Sequence, residues 1–333
     1  MSRGNNHGLQ HVASIFLLIA ALFTSSAAHP ADWKPERQLE IVAMSGPGGA
    51  NDVIARTLQR IIQQRKLVDA PLTVVSKVGA GGVIAWSYLN QHAGDGAYIS
   101  VSPINLLIEH ILGASPITYT DVTPIAQLFN EYVAFAVKAD GALRSGRDVI
   151  DKLKADPGAM SFAVAASLGG SNHIATMVAL KSAGVDVKKL KFVVFNSGVQ
   201  SLTSVMGGHV DVAVVPVSGA VPHVASGRLR VLAVSSARRL GGSFAAVPTW
   251  KEQGADSVFS SARGVIGPKG LSAAQVSYWE NVLARVVESD DWKKDLANNY
   301  WEGQFLTSAD TRKLLKVQYD EYKSVLIDVG LAR

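Results

Sequence analysis

Two glycine-bearing turns carry the residues best suited to chemistry. The first is Ser45-Gly-Pro-Gly-Gly-Ala-Asn-Asp52, which follows the apolar run Leu39-Glu-Ile-Val42. It precedes 53–65, where Val53, Ile54, Leu58, Ile61 and Ile62 recur at helical spacing. Strand, turn and helix are therefore predicted in that order. Glycine lets backbone N–H groups approach a ligand with no Cβ in the way. The opening turn of a helix adds unpaired N–H donors and the positive end of its dipole. Together these make a cradle for an anion. The second turn lies in Val164-Ala-Ala-Ser-Leu-Gly-Gly-Ser-Asn-His173, before a segment with Ile174, Met177, Val178 and Leu180 on one face. Ser171 or Asn172 is its expected N-cap. Two such cradles facing each other across a cleft would grip a small dianion from both sides.

The first turn nominates Ser45, Gly48, Gly49, Ala50, Asn51 and Asp52 as ligand-binding residues. The second nominates Ser167, Gly169, Gly170, Ser171, Asn172 and His173. Gly49 and Gly170 are expected to offer their N–H groups to the ligand. Open α/β sheets bind ligands beyond the carboxyl ends of their strands. That rule adds Ser102, Asn105, Asn196, Pro216 and Ser218, each just after or at the end of a strand-like run. Some of these residues have a structural reading as well. Asp52 suits the N-terminal dipole of its helix. His173 either donates to a ligand carboxylate or is held by neighbouring backbone. Asp211 is expected to make a structural hydrogen bond across a hinge.

Several classes of chemistry are missing. The chain has no cysteine, so it has no disulfide, thiolate metal site or cysteine nucleophile. It has no Gly-x-Ser-x-Gly elbow and no His-Glu-x-x-His helix. Its eight histidines pair at metal-ligand spacing only near the N-terminus. Lys77-Val-Gly-Ala-Gly-Gly82 lacks the third glycine of a dinucleotide fingerprint. No enzyme activity, metal or cofactor is expected. Basic residues occur in small groups such as Lys188-Lys189 and Arg238-Arg239 rather than a stripe, so nucleic acid is not a partner.

The chain of 333 residues exceeds one typical domain. Strand-like runs 72–75, 98–101, 160–164, 192–195 and 210–215 alternate with helical patterns, which predicts parallel sheets covered by helices, an α/β class. Residues 12–23 form an apolar run as short as a signal-peptide core, followed by Ser25-Ser-Ala-Ala28. Residues 1–28 are therefore read as a cleaved leader. The net charge of +5 falls to +4 with it, because Arg3 is its one charged residue. With no lipidation cysteine, the exported chain is expected in the periplasm.

The mature chain resembles the substrate-binding proteins of the tripartite tricarboxylate transporter family, the Bug/TctC family. The resemblance runs from about Trp33 to Arg333 and rests on motifs in order. These are Pro47-Gly-Gly-Ala-Asn-Asp52 with Ala55-Arg56, Lys77-Val-Gly-Ala-Gly-Gly82, Gly94-Asp-Gly96, Thr123-Pro-Ile-Ala126 and Gly169-Gly-Ser-Asn-His173. Gly207-Gly-His-Val-Asp211, Gly227-Arg-Leu-Arg-Val-Leu-Ala233, Val247-Pro-Thr-Trp-Lys-Glu-Gln-Gly254 and Gly267-Pro-Lys-Gly270 complete it. It implies an α/β periplasmic binding protein fold of type II, with two lobes and a ligand cleft between them. Lobe 1 would hold 33–132 and 247–333, and lobe 2 would hold 133–246. The C-terminal helices at 273–287 and 308–327 would pack on lobe 1. It also implies a monomeric receptor that delivers a small di- or tricarboxylate, or a related organic acid, to large and small membrane permease subunits. A periplasmic sensor feeding a signalling receptor is the alternative. Relatives often carry an aromatic residue before the Pro-Gly-Gly turn and before the last strand's glycine. Here Ser45-Gly46 and Ala262-Arg263 stand there.

Overall fold

The computed structural model describes Met1 and residues 33–102, 104–165 and 167–332. The leader reading falls outside them. Residues 34–333 make one compact unit. The chain alternates β1 (Leu39–Ala43), α1 (Ala50–Gln64), β2 (Leu72–Ser76), α2 (Val83–Asn90), β3 (Tyr98–Ser102), α3 (Asn105–Ile111) and β4 (Val122–Glu131). It continues with β5 (Val133–Lys138), α4 (Gly146–Ala155), β6 (Ser161–Ala165), α5 (Ser171–Ser182), β7 (Lys191–Phe195) and α6 (Gly198–Met206). Then come β8 (Val212–Pro216), α7 (Val217–Ala225), β9 (Leu229–Val234), β10 (Ser261–Pro268), α8 (Ala273–Glu288), α9 (Asp290–Asn299), β11 (Glu302–Leu306) and α10 (Ser308–Asp328).

The strands form two sheets, ordered β11-β4-β10-β3-β1-β2 and β7-β6-β8-β5-β9. The fold is the two-lobed α/β periplasmic binding type, with a cleft between the lobes. The sheets are mixed rather than wholly parallel. β1 runs parallel to β2 and β3, and β6 runs parallel to β7 and β8. β10 is antiparallel to β3 and β4, and β5 to β8 and β9. The cause is topological. β4 passes straight into β5 through Tyr132, and β10 brings the chain back from β9. Strands that cross between sheets enter against the direction set by the local strand–helix–strand units.

Apolar periodicity accounts for most helices. α1 buries Ile54, Ala55, Leu58, Ile61 and Ile62 against its sheet. It begins at Ala50, before the apolar stripe, because Gly49 takes the extended N-cap conformation. Under the first sheet, Val42, Met44, Trp86, Leu106 and Ile266 share one core. Phe135, Phe162, Val164, Val212 and Val214 pack together in the second sheet's core, with Trp250 edge-on to Phe135 at 4.8 Å.

Both C-terminal helices pack on the first sheet's side, and the second also reaches the other half. α8 packs on the first sheet, where Trp279 Nε1 donates to Gly96 O at 2.8 Å. α10 starts against β4 and packs along α3. Its Leu315, Tyr322 and Leu326 join the same core as Phe135 and Phe162, together with Ile104, Leu107 and Ile108 of α3. A helix of 21 residues spans about 32 Å, enough to reach from one sheet to the other.

β10 positions Arg263 beside an irregularity in the sheet. Its register against β4 shifts between Arg263 and Gly264, and a Cβ on Gly264 would lie 2.3 Å from Ala126 O. Irregularities of this kind re-aim a side chain. Gly264→Ala should therefore cost about 1–3 kcal/mol by overpacking. Urea unfolding checks this; unchanged stability would contradict the close approach.

Candidate functional site

A cavity of about 350 Å³ lies in the cleft and draws its lining from both sheets' elements. From the first turn come Ser45, Gly48, Gly49, Ala50 and Asn51. Asn105 comes from the start of α3, and Ser171 and Asn172 from the start of α5. Asn196, Pro216 and Ser218 line it at the ends of β7 and β8. Ser102 closes β3, paired with Gly264.

The two turns are built alike. Gly48 and Gly169 have φ of +76° and +86°, the left-handed conformation a glycine adopts without strain. Each following glycine closes its turn: Gly49 N–H donates to Gly46 O at 3.0 Å, and Gly170 N–H to Ser167 O at 3.3 Å. Each leading glycine donates to the side chain four residues on. Gly48 N–H reaches Asp52 Oδ2 at 3.0 Å, and Gly169 N–H reaches His173 Nδ1 at 2.8 Å.

These bonds correct several expectations. The N–H groups of Gly49 and Gly170 are consumed within the turns, and Gly170 does not line the cavity. Gly169 and Ser167 also lie away from it. Gly169 abuts Leu112, and Ser167 Oγ donates to Glu109 Oε1 at 2.6 Å. Asp52 is buried and accepts from Arg56 Nε at 2.9 Å, so its carboxylate braces the turn. His173 is likewise a brace, buried edge-on to Phe192 at 4.2 Å. The N-cap of α5 is Gly170, with no side-chain cap. Asp211 bonds Ser161 N and Oγ at 2.8 Å, which ties β6 to β8 inside one sheet rather than across a hinge.

The open donors sit one step further along each helix. Ala50 and Asn51 of α1, and Ser171 and Asn172 of α5, line the cavity, and their backbone N–H groups have no partner among the described residues. Gly198 and Val199 of α6 do the same, as do Ser218 and Gly219 of α7. Four helix starts thus converge on one cavity. Asn51 and Asn172 are only 7% and 5% exposed, yet Oδ1 of each has no hydrogen-bond partner.

Residues not nominated from sequence include Val53, Leu202, His223, Asn299, Trp301 and Arg263. Trp301 and Arg263 converge on Glu131, which lies 3.1 Å from Trp301 Nε1 and 2.8 Å from Arg263 Nη2. Ser218 Oγ donates to the same carboxylate at 2.9 Å. The departure at Ala262-Arg263 was the one sequence signal for this cluster; nothing near Trp301 in the chain points to it. Burial, aided by Arg228, holds the His223 imidazole below its ordinary pKa, so it lines the cavity uncharged at neutral pH.

The model of the tripartite tricarboxylate transporter family receptor matches residues 54–331. The chain belongs to this family. BugT of Bordetella pertussis is 30% identical over 264 residues, covering 78% of each chain. A UPF0065 protein from the gbd 5′ region of Cupriavidus necator is 25% identical, covering 91% of this chain and 90% of its own. An R. palustris structure with adipate superposes with a TM-score of 0.82 at 22% identity, covering 90% of this chain and 99% of its own. MatC of Rhodopseudomonas palustris with bound malate gives 0.76 at 19%, covering 88% and 99%. Family members are solute-binding receptors of the periplasmic type. Among the described residues no helix is long and apolar enough to cross a membrane.

His173 supplies a pH test. Burial lowers its pKa from 6.5 to about 4. The unfolded chain therefore takes up the proton first as pH falls, and stability declines from about pH 6.5 towards 4. By pH 5 the loss should be about 2 kcal/mol. Chemical unfolding of wild type and His173→Gln at pH 7.5 and pH 5 checks this. The wild type should lose that much more than the variant, and parallel losses would refute the assignment.

Proposed function

We infer that the chain is a periplasmic solute receptor that captures a small carboxylate and passes it to the large and small subunits of a membrane permease. One observation carries this reading: four helix starts whose leading N–H groups have no partner among the described residues line one cavity. That constellation accepts an anion without a dedicated cation. The relatives with adipate and malate, and the family's description, support carboxylate as the anion.

The energetics suffice. Micromolar affinity needs about 8 kcal/mol. Each charge-assisted hydrogen bond contributes roughly 1.5–3 kcal/mol, and each helix end about 0.3–1 kcal/mol. Four or five bonds cover that requirement after the cost of immobilising the ligand and closing the cleft. Among the described residues no cluster of His, Asp or Glu is arranged to hold a metal ion.

A carboxylate panel should raise the melting temperature, since a ligand that binds only the folded state stabilises it by mass action. Asn51→Asp and Asn172→Asp should each weaken that ligand about a hundredfold or more, because like charges roughly 4 Å apart repel by about 4 kcal/mol at an effective dielectric constant near 20. Calorimetry on the folded variants reads this directly. A shift with sugars or cationic amino acids and none with carboxylates would overturn the reading. Export is tested separately: Edman sequencing of periplasmic protein should begin near His29, and a sequence starting at Met1 would contradict it.

A further inference from the structure

The loop Lys77-Val-Gly-Ala-Gly-Gly82 does not line the cavity. It encloses a carboxylate instead. Gly81 has φ of +63°, and a Cβ there would overlap the carboxyl group of Glu109 on α3. Glu109 is only 4% exposed. Its carboxylate accepts from Ser167 Oγ at 2.6 Å, and among the described residues no cation pairs with it. Ser167 belongs to the turn after β6, and Gly169 of that turn rests against Leu112 just beyond α3. Glu109 thus joins a helix that follows β3 of the first sheet to the turn whose helix start, Ser171 and Asn172, lines the cavity.

The titratable groups on the elements packed around Glu109 are engaged elsewhere or neutral. Loop 79–82 carries none, and Lys77 before it lies 4.0 Å from the centre of the Tyr88 ring. His110 of α3 and Tyr319 of α10 bond each other at 2.9 Å. On α10, Lys316 pairs with Asp320, and burial raises the Tyr322 phenol so that it stays neutral. Beside the second turn, His173 accepts from Gly169 N–H and is kept neutral by burial. Burial likewise raises the Glu109 pKa above its ordinary value, opposed in part by the Ser167 bond. Glu109 follows Asn105, a cavity residue, by four positions on one helix face. Four residues rise by only about 6 Å. An anion held at Asn105 adds a second negative charge nearby, which favours the neutral acid.

We propose that Glu109 is a positioning residue that fixes the second turn against α3, and that capture of an anionic solute is accompanied by uptake of a proton from solvent at its carboxylate. This rests on the carboxylate reading above. Ionised Glu109 both accepts from Ser167 and opposes an arriving anion. The proton cancels that charge, and the neutral acid still accepts from Ser167 Oγ. Affinity therefore rises as pH falls through the raised pKa of the loaded form, and levels off below that of the empty form. Unit charges roughly 10 Å apart at an effective dielectric constant near 20 make the total gain about tenfold. A gain of that size corresponds to about half a proton per solute at the steepest pH.

Calorimetry with malate and adipate, in buffers of different ionisation enthalpy from pH 7.5 to pH 4.5, tests this. The solute's own titration and that of His173 and the cavity-lining His223 are common to wild type and Glu109→Gln, so the difference in proton uptake isolates Glu109. Glutamine keeps an oxygen for Ser167 but carries no charge. The variant should bind up to about tenfold more tightly than wild type at pH 7.5 and lose the extra gain on acidification. Glu109→Ala removes the acceptor too and should bind about fivefold more weakly than Glu109→Gln; equal binding contradicts the positioning role. Ser167→Ala deletes the bond that favours the charged form, so its proton uptake should move to higher pH, which also decides the matter if the Glu109 variants do not fold. Equal proton uptake in wild type and Glu109→Gln, or an unmoved profile in Ser167→Ala, overturns this inference and leaves the receptor reading intact. Silence towards both acids overturns both.

Discussion

Glu131 is the residue on which the arrangement turns. It ends β4, and after Tyr132 the chain enters the second sheet as β5. Its carboxylate is buried and accepts from Arg263 of β10, Trp301 beyond α9 and Ser218 of α7. One side chain thus joins the strand that leaves the first sheet, the strand that returns to it, and a helix start at the cavity. A buried ion pair adds little to stability over a well-packed apolar replacement, but losing either partner strands a charge and costs about 3–5 kcal/mol. The pair therefore acts mainly to specify geometry. It sets where the lobes meet, and it leaves the cavity without an uncompensated cation.

The same economy governs the two glycine turns. Each uses its glycine N–H groups to hold itself together and leaves the next two N–H groups of the helix open. The brace on the leading glycine is a carboxylate in one turn and an imidazole in the other. Only the acceptor atom matters to the turn, so residues of opposite chemical character occupy equivalent places. Arg56 covers the charge of Asp52, whereas His173 is kept neutral by burial. Neither brace adds net charge beside the donors.

Much of this was legible before any coordinates. The strand–turn–helix order at 39–65 and 160–180 and the α/β alternation rest on short-range periodicity, which a sequence displays openly; the helix at 273–287 came from the resemblance. Ser45, Gly48, Ala50, Asn51, Ser171 and Asn172 were found because turn chemistry is local. What sequence could not show is how hydrogen bonds are allotted within a turn. Gly49, Gly170, Asp52 and His173 have the right types and positions, yet their polar groups face inward to partners three or four residues away. Trp301 and Arg263 were hidden for a different reason. They meet Glu131 across 170 and 132 residues of chain, a contact set by topology alone.

α10 has a mechanical consequence. It begins beside β4, where Thr311 Oγ1 accepts from Gln127 N–H at 2.9 Å. It finishes against the other half, where Lys181 pairs with Asp328. Between those ends, Leu315, Tyr322 and Leu326 belong to the apolar cluster that runs from α3 to the second sheet. A rod that touches both halves resists free swinging about a two-strand pivot. Separating the halves must either break its contacts with one of them or flex the rod, which favours a small shear over wide opening. Capture and release would then be governed by the stiffness of a helix more than 20 residues from either crossing strand in sequence, far from any atom that touches solute.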